Sequence, residues 1–272
     1  MRSTRFGSFV GVLIISLGLP VVANAGGDAA AGKARSQACQ ACHVSAAGTG
    51  DTPHLAGQRE TYLAKQLKAF KGGDRKNPFM TAIVAQLSDA DINDLAAYWS
   101  SQASGSDTTV STEVAAIKKS QMTFPRDFPK GFVLYNTANK DDHDQNVVSK
   151  AYVNTVGLQA VKAGKPMPDG SAIIIVNYAA KLDASKKPVL EKDGSWAVDK
   201  VTGYEGMEAR TGWGSAIPEL LRNANWHYNI FGADKAPRAD LNQAVCLACH
   251  KPEAAHSFVF GFPKIQAKAT AK

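Results

Sequence analysis

The sequence predicts an α+β chain of two domains. An all-α domain spans 26–103, a connector follows at 104–115, and a mainly antiparallel β domain with a few helices fills 116–272. Three observations predict this. Apolar residues recur at helical spacing before residue 103, a run of small polar residues comes next, and β-branched or alternating segments bounded by turn signals dominate the rest. A length of 272 residues also suits two domains of ordinary size.

The chain opens with Met1-Arg2-Ser3-Thr4-Arg5, an apolar run from Phe9 to Val22, and then Ala23-Asn24-Ala25. A basic start, a short apolar stretch and a small-x-small end form a secretory signal peptide over 1–25, with cleavage expected after Ala25. The apolar run is shorter than the ~20 residues a spanning helix needs, and no later segment replaces it, so no membrane span is expected in the mature form. Removing Arg2 and Arg5 takes the net charge from +7 down by two to +5. Export argues against nucleic acid as a partner. Lys33, Arg35, Lys65, Lys68, Lys71, Arg75 and Lys76 instead cluster in the first domain. There they could steer an acidic redox partner or simply form a solvated surface.

In the first domain, Gly27 to Gln37 reads as a short Ala-rich helix. Leu63, Leu67 and Phe70 stand at i, i+4 and i+7, the stripe of an amphipathic helix. A last helix opens at Ser88, with Asp91 three residues on as in a capping box, and shows Ile92, Leu95 and Trp99 along one face. The stretch Ser104-Gly105-Ser106-Asp107-Thr108-Thr109-Val110-Ser111-Thr112 has the composition of a flexible connector.

The second domain is mostly strand. Ala172-Ile173-Ile174-Ile175-Val176 is a β-branched run entered through the turn Pro168-Asp169-Gly170. Val189 to Val198 predicts a hairpin with Asp193-Gly194 at its turn, and Trp226, Tyr228 and Ile230 alternate along another strand. Short helices are expected near Val156 to Ala163 and leading into Cys246.

All four cysteines fall in two copies of one pattern, Cys39-Gln40-Ala41-Cys42-His43 and Cys246-Leu247-Ala248-Cys249-His250. C-x-x-C-H is the attachment signature of c-type haem. Cysteines three apart on a helical turn share a face, so both sulfurs can form thioethers to one porphyrin, and the adjacent imidazole reaches the iron. A redox dithiol would need a βαβ context, and zinc would need a second pair nearby. Neither explains a histidine after both pairs. Two covalently bound haem c groups are therefore expected, with His43 and His250 as iron ligands. Because c-type haem is attached outside the bacterial cytoplasm, the expected location is the periplasm.

Met80 is the one methionine of 26–103, and it is expected in a loop before the last helix. A thioether is a soft iron ligand, and His/Met ligation raises a haem's potential; a core gap-filler is the alternative reading. No methionine follows His250, so the second haem cannot repeat that order.

Residues 26–103 resemble a class I bacterial cytochrome c. The resemblance rests on the first motif with Pro53-His54-Leu55-Ala56-Gly57-Gln58, Asn77-Pro78-Phe79-Met80 and Leu87-Ser88-Asp89-Ala90-Asp91-Ile92. It implies that the Pro53 carbonyl accepts a hydrogen bond from the His43 ring. It also implies a haem closed on both sides, fit only to carry electrons.

The second domain resembles the cytochrome P-460 and cytochrome c′-beta family. The matching stretches run from Phe128-Pro129-Lys130-Gly131-Phe132 through Ala151-Tyr152-Val153, Pro168-Asp169-Gly170 and Gly203-Tyr204 to the second motif. The resemblance implies that His250 is the proximal ligand beneath a distal site that is open or guarded by apolar groups and takes small ligands such as nitric oxide. A homodimer is a family expectation. Members that oxidise hydroxylamine carry a porphyrin-linked lysine, whose register falls here on Ile175. No lysine occurs from Ser171 to Ala180, so the cross-link does not carry over. Ile175 would leave an apolar distal face, or is a core isoleucine of the sheet. Met167, Met207, His143, His227 and His256 are the other groups that could reach the second iron, with Met207 first among them. No acid–base residue stands out, and none is assigned as catalytic.

The expected function is that of a periplasmic diheme protein. One haem transfers electrons, and the other binds or converts a small nitrogen or oxygen species. A pure carrier with two six-coordinate haems, and a nitric oxide sensor or scavenger without turnover, are the alternatives.

Overall fold

The computed structural model describes residues 26–43, 52–103, 112–142 and 145–271. The expected signal peptide, residues 104–111 of the expected connector, and His143 lie outside the described residues.

Helix α1 (Ala29–Arg35) starts where the Asp28 carboxylate accepts from the Ala30 and Ala31 amides, satisfying two of the donors a helix start leaves free. Helix α2 (Gln37–His43) carries the whole first motif. The amphipathic stripe becomes α3 (Glu60–Gly72), which ends at Gly73 in the left-handed region, φ 85°. Met80 lies in a short helix, α4 (Pro78–Val84), rather than in the expected loop. The Asn77 side chain accepts from the Phe79 and Met80 amides, and Pro78 sits in the first turn, two start signals that outweigh the length of the segment. Helix α5 (Asp89–Ser101) has a complete capping box between Ser88 and Asp91. Against it α1 packs so closely that a Cβ on Gly32 would lie 2.0 Å from the Asp94 carbonyl oxygen.

The connector was expected to reach residue 115, yet Thr112–Lys118 forms helix α6. Its Val114 and Ile117 are fully buried, and that burial gives a short segment the reason to be helical.

The second domain is built on a five-stranded antiparallel meander in the order β1 (Phe132–Asp142), β2 (Gln145–Asn154), β3 (Ala172–Ala180), β4 (Val198–Ala209), β5 (Trp226–Gly232). The expected hairpin at 189–198 is reduced to isolated bridges, Leu190 with Trp196 and Leu182 with Pro188. Its turn survives, with Gly194 at φ 82°; Pro188 can donate nothing to a regular ladder.

Successive side chains of a strand point to opposite faces, so the sheet sorts its apolar residues into two cores. Ile174, Val176, Tyr204 and Phe231 pack on Met122, Phe124 and Phe128 on one side. On the other, Ile173, Met207 and Tyr228 join Val161, Leu247 and Ile265, which come from α7 (Thr155–Lys162), α8 (Gln243–His250) and α9 (Phe262–Thr270). This second face confronts the second motif, which α8 carries in its last two turns. No helix among the described residues is long and apolar enough to cross a membrane.

Candidate functional site

The first motif opens onto a cavity of about 430 Å³ whose wall includes Cys39, Cys42, His43, Pro53, Met80 and Trp99. His43 donates from Nδ1 to the Pro53 carbonyl oxygen at 2.7 Å. That bond fixes the tautomer in which Nε2 keeps its lone pair, the form a metal-binding imidazole needs. Burial pushes the His43 pKa down from its ordinary value, which favours the neutral ring. Leu63 and Phe70 of α3 and Leu95 of α5 line the same space. A flat macrocycle with an iron at its centre would thus find two thiols on one helical turn, an imidazole nitrogen, a thioether and apolar walls.

The thiols themselves argue against a redox dithiol. Desolvation pushes Cys39 up to about 12 and Cys246 up to about 11. A reactive dithiol needs the opposite shift, because the thiolate is the nucleophile.

The second motif repeats the arrangement with other partners. His250 donates from Nδ1 to the Phe258 carbonyl oxygen at 2.8 Å. Its ring lies 4.6 Å from that of Tyr228 and 4.9 Å from that of Phe260, centroid to centroid. Burial lowers the His250 pKa too. A smaller cavity, about 110 Å³, is bounded by Cys246 and His250 on α8 and by Ile173, Ile175, Glu205 and Met207 on the sheet. Cys249, on the same helix, is not on its wall.

Ile175 of β3 pairs with Glu205 of β4, which pairs in turn with Ile230 of β5. Residues directly opposite across strands share a face, so this row presents a carboxylate between two isoleucines. Glu205 accepts a hydrogen bond from the Asn177 amide at 2.8 Å. Sequence reading missed both Glu205 and Phe258. The first lies next to Gly203-Tyr204, where only strand pairing shows that it faces the motif; the second acts through its backbone, which leaves no mark on side-chain chemistry.

Of the other groups considered for the second iron that lie among the described residues, Met207 alone lines this cavity. His227 has both ring nitrogens engaged, Nδ1 accepting from the Gln121 amide at 3.1 Å and Nε2 donating to the Trp213 carbonyl oxygen at 2.8 Å. His256 pairs with Glu253 at 2.9 Å. Met167 is buried elsewhere in the core, close enough to Gly157 that a Cβ there would meet its methyl carbon at 2.4 Å.

Paired cysteines followed by an oriented imidazole, beside an apolar cavity that also holds a thioether, define a c-type cytochrome. Residues 29–103 match the cytochrome c family, and residues 125–261 match the cytochrome P-460 family. The chain belongs to the cytochrome P-460 family and carries a cytochrome c domain ahead of that region.

Among curated relatives, cytochrome c4 of Pseudomonas aeruginosa is 47% identical over 93 residues, which are 33% of this chain and 46% of the relative. Cytochrome c-554(548) of Halomonas halodenitrificans is 46% identical over 82 residues, 28% of this chain and 98% of the relative. The thiosulfate dehydrogenase electron acceptor of Thiomonas intermedia is 36% identical over 107 residues, 38% of this chain and 49% of the relative. The chain spans about half the length of the cytochrome c4 relatives it matches. Covalently bound haem c and a role in electron transfer follow from these matches.

Proposed function

We propose that the chain is an exported, periplasmic protein with two haem c groups of different duty, one per domain over 26–103 and 116–272. The first, held by Cys39 and Cys42 with His43 and Met80 toward the iron, passes electrons. The second, held by Cys246 and Cys249 with His250 toward the iron, keeps a position free for nitric oxide or a related small nitrogen or oxygen species. Bound haem supplies one-electron redox chemistry and, where a coordination position is free, a site for such a ligand.

The asymmetry of the two cavities carries this reading. Met80 shares the first cavity with His43 in a wall that holds no carboxylate among the described residues, whereas the wall of the second sets Ile175 and Ile230 beside Glu205, with Met207 along the same cavity. The isoleucines make this wall apolar, and the Glu205 carboxylate between them repels anions. With no lysine on β3, a porphyrin cross-link at position 175 is not part of the proposal. Lysines of the first domain suit an acidic redox partner, and one relative is by name the electron acceptor of thiosulfate dehydrogenase.

A second reading has its own observation. Met207 lines the second cavity, and a thioether bound there would make the protein a carrier with two six-coordinate haems. Titrating the reduced holoprotein with nitric oxide separates the two. One equivalent bound, with the His43/Met80 haem unchanged, supports the free position. No binding until Met207→Leu is introduced assigns the carrier.

A further inference from the structure

The two motif helices belong to different domains, yet α2 and α8 are in direct contact. Ala38 and Ala41 of α2 are buried in the same apolar core as Leu247 and Ala248 of α8. The cavity of the first motif is itself walled in part by the second domain, through Leu221, Ala244, Val245 and Ala248.

One side chain ties the helices together. The Asn242 carboxamide oxygen accepts from the Ala244 amide at 3.1 Å and so caps the start of α8. Its nitrogen donates across the domain junction to the Ala41 carbonyl oxygen at 2.7 Å and approaches the Cys42 sulfur at 3.9 Å. A second bond across the junction runs from the Gln86 carboxamide to the Leu220 carbonyl oxygen at 3.0 Å.

We infer that the α2–α8 junction is the route by which the two haems exchange electrons directly, with Asn242 as the residue that positions it. This rests on the two-haem reading above. In the exchange one haem iron is oxidised by one electron and the other is reduced by the same electron; no bond forms or breaks, and the direction follows the two potentials. Asn242 acts by holding the attachment helices in register. Its nitrogen also lies 3.9 Å from the sulfur that would attach the first haem, and a donor held there would draw electron density from the attached porphyrin and raise that haem's potential.

Asn242→Ser separates the two jobs of this residue. Serine caps a helix about as well as asparagine but is too short to reach Ala41. Haem content is measured first by the pyridine haemochrome assay, and a single haem per chain would overturn the two-haem reading and this proposal with it. Given two, the holoprotein is reduced by a rapid one-electron pulse and both haems are followed optically. The native protein is expected to equilibrate in a phase independent of protein concentration. In Asn242→Ser that phase slows by about three- to tenfold, the effect of one ordinary hydrogen bond on the docked population, and the first haem's potential falls. Gln86→Ala, which changes an exposed side chain, slows it less. A native protein that equilibrates only through collisions, or an Asn242→Ser protein with unchanged rate and potential, would overturn the proposal.

Discussion

His250 donates its Nδ1 hydrogen to the Phe258 carbonyl oxygen at 2.8 Å, and the residues presenting that carbonyl, Ser257 and Phe258, both lie in the left-handed region at φ 56° and 62°. Each such residue costs on the order of 1 kcal/mol or more. The geometry is held by the Met167 amide, which donates to Ser257 Oγ at 3.0 Å, and by the Phe258 amide, which donates to the Glu253 carbonyl oxygen at 2.7 Å. Phe258→Pro fixes φ near −65° and removes that amide hydrogen, so it should destabilise the second domain by roughly 3 kcal/mol. It should also disturb the second haem's spectrum while leaving the first unchanged. Denaturant unfolding together with the optical spectrum checks both.

Met80→Ala removes the thioether from the first cavity and leaves His43 and its bond to Pro53 in place. The first haem is then expected to become high-spin, to accept added ligands, and to fall in potential. Potentiometric titration followed optically reads all three, with the second haem as an internal standard.

On the proposed function, the charge of Glu205 should set what the second cavity admits. A unit charge about 5 Å away through an effective dielectric near 20 acts with about 3 kcal/mol, and water at the cavity mouth reduces this. Glu205→Gln keeps the shape and removes the charge. Nitrite or azide should then bind at least about tenfold more tightly, a difference of ~1.4 kcal/mol, while neutral nitric oxide changes little. Equilibrium titrations of the two proteins make the comparison.

Acid should weaken the fold through His227. Burial holds its pKa below the ordinary 6.5, so below that pH the unfolded chain takes up a proton that the folded ring resists. Its contribution is fully present above pH ~6.5 and is lost as the pH falls toward the folded value. The melting temperature of the holoprotein should therefore decline on acidification. His227→Gln, which can still accept from Gln121 and donate to Trp213, should flatten that decline.

Close helix packing in the first domain makes a sharper stability test. Gly32→Ala would drive its methyl group into the Asp94 backbone and must part α1 from α5, at a cost of about 1–3 kcal/mol. Chemical denaturation measures it directly.

Much of this was legible in the residues. Ser88 and Asp91, Leu63 and Phe70, the Ala172–Val176 run and the alternation around Tyr228 each announce an element, because capping and periodicity are local properties. The pair β1 and β2 was largely missed. Asn136 to Asp142 carries almost no apolar alternation, and its strand is imposed by pairing with β2, which sequence spacing does not record. Helix α6 was lost in the same way, since Val114 and Ile117 reveal a buried face only once the second domain lies against them. The row Ile175–Glu205–Ile230 depends on the register of three strands, so the carboxylate in it could not be placed from the chain alone.

The two irons are proposed to be unequal, and the electron paramagnetic resonance spectrum of the oxidised holoprotein reads this most directly. One low-spin signal that Met80→Ala removes is expected, beside one high-spin signal that His250→Ala alters and that disappears on adding nitric oxide, whose ferric adduct is silent. Two low-spin signals of equal intensity, both indifferent to nitric oxide, would contradict it.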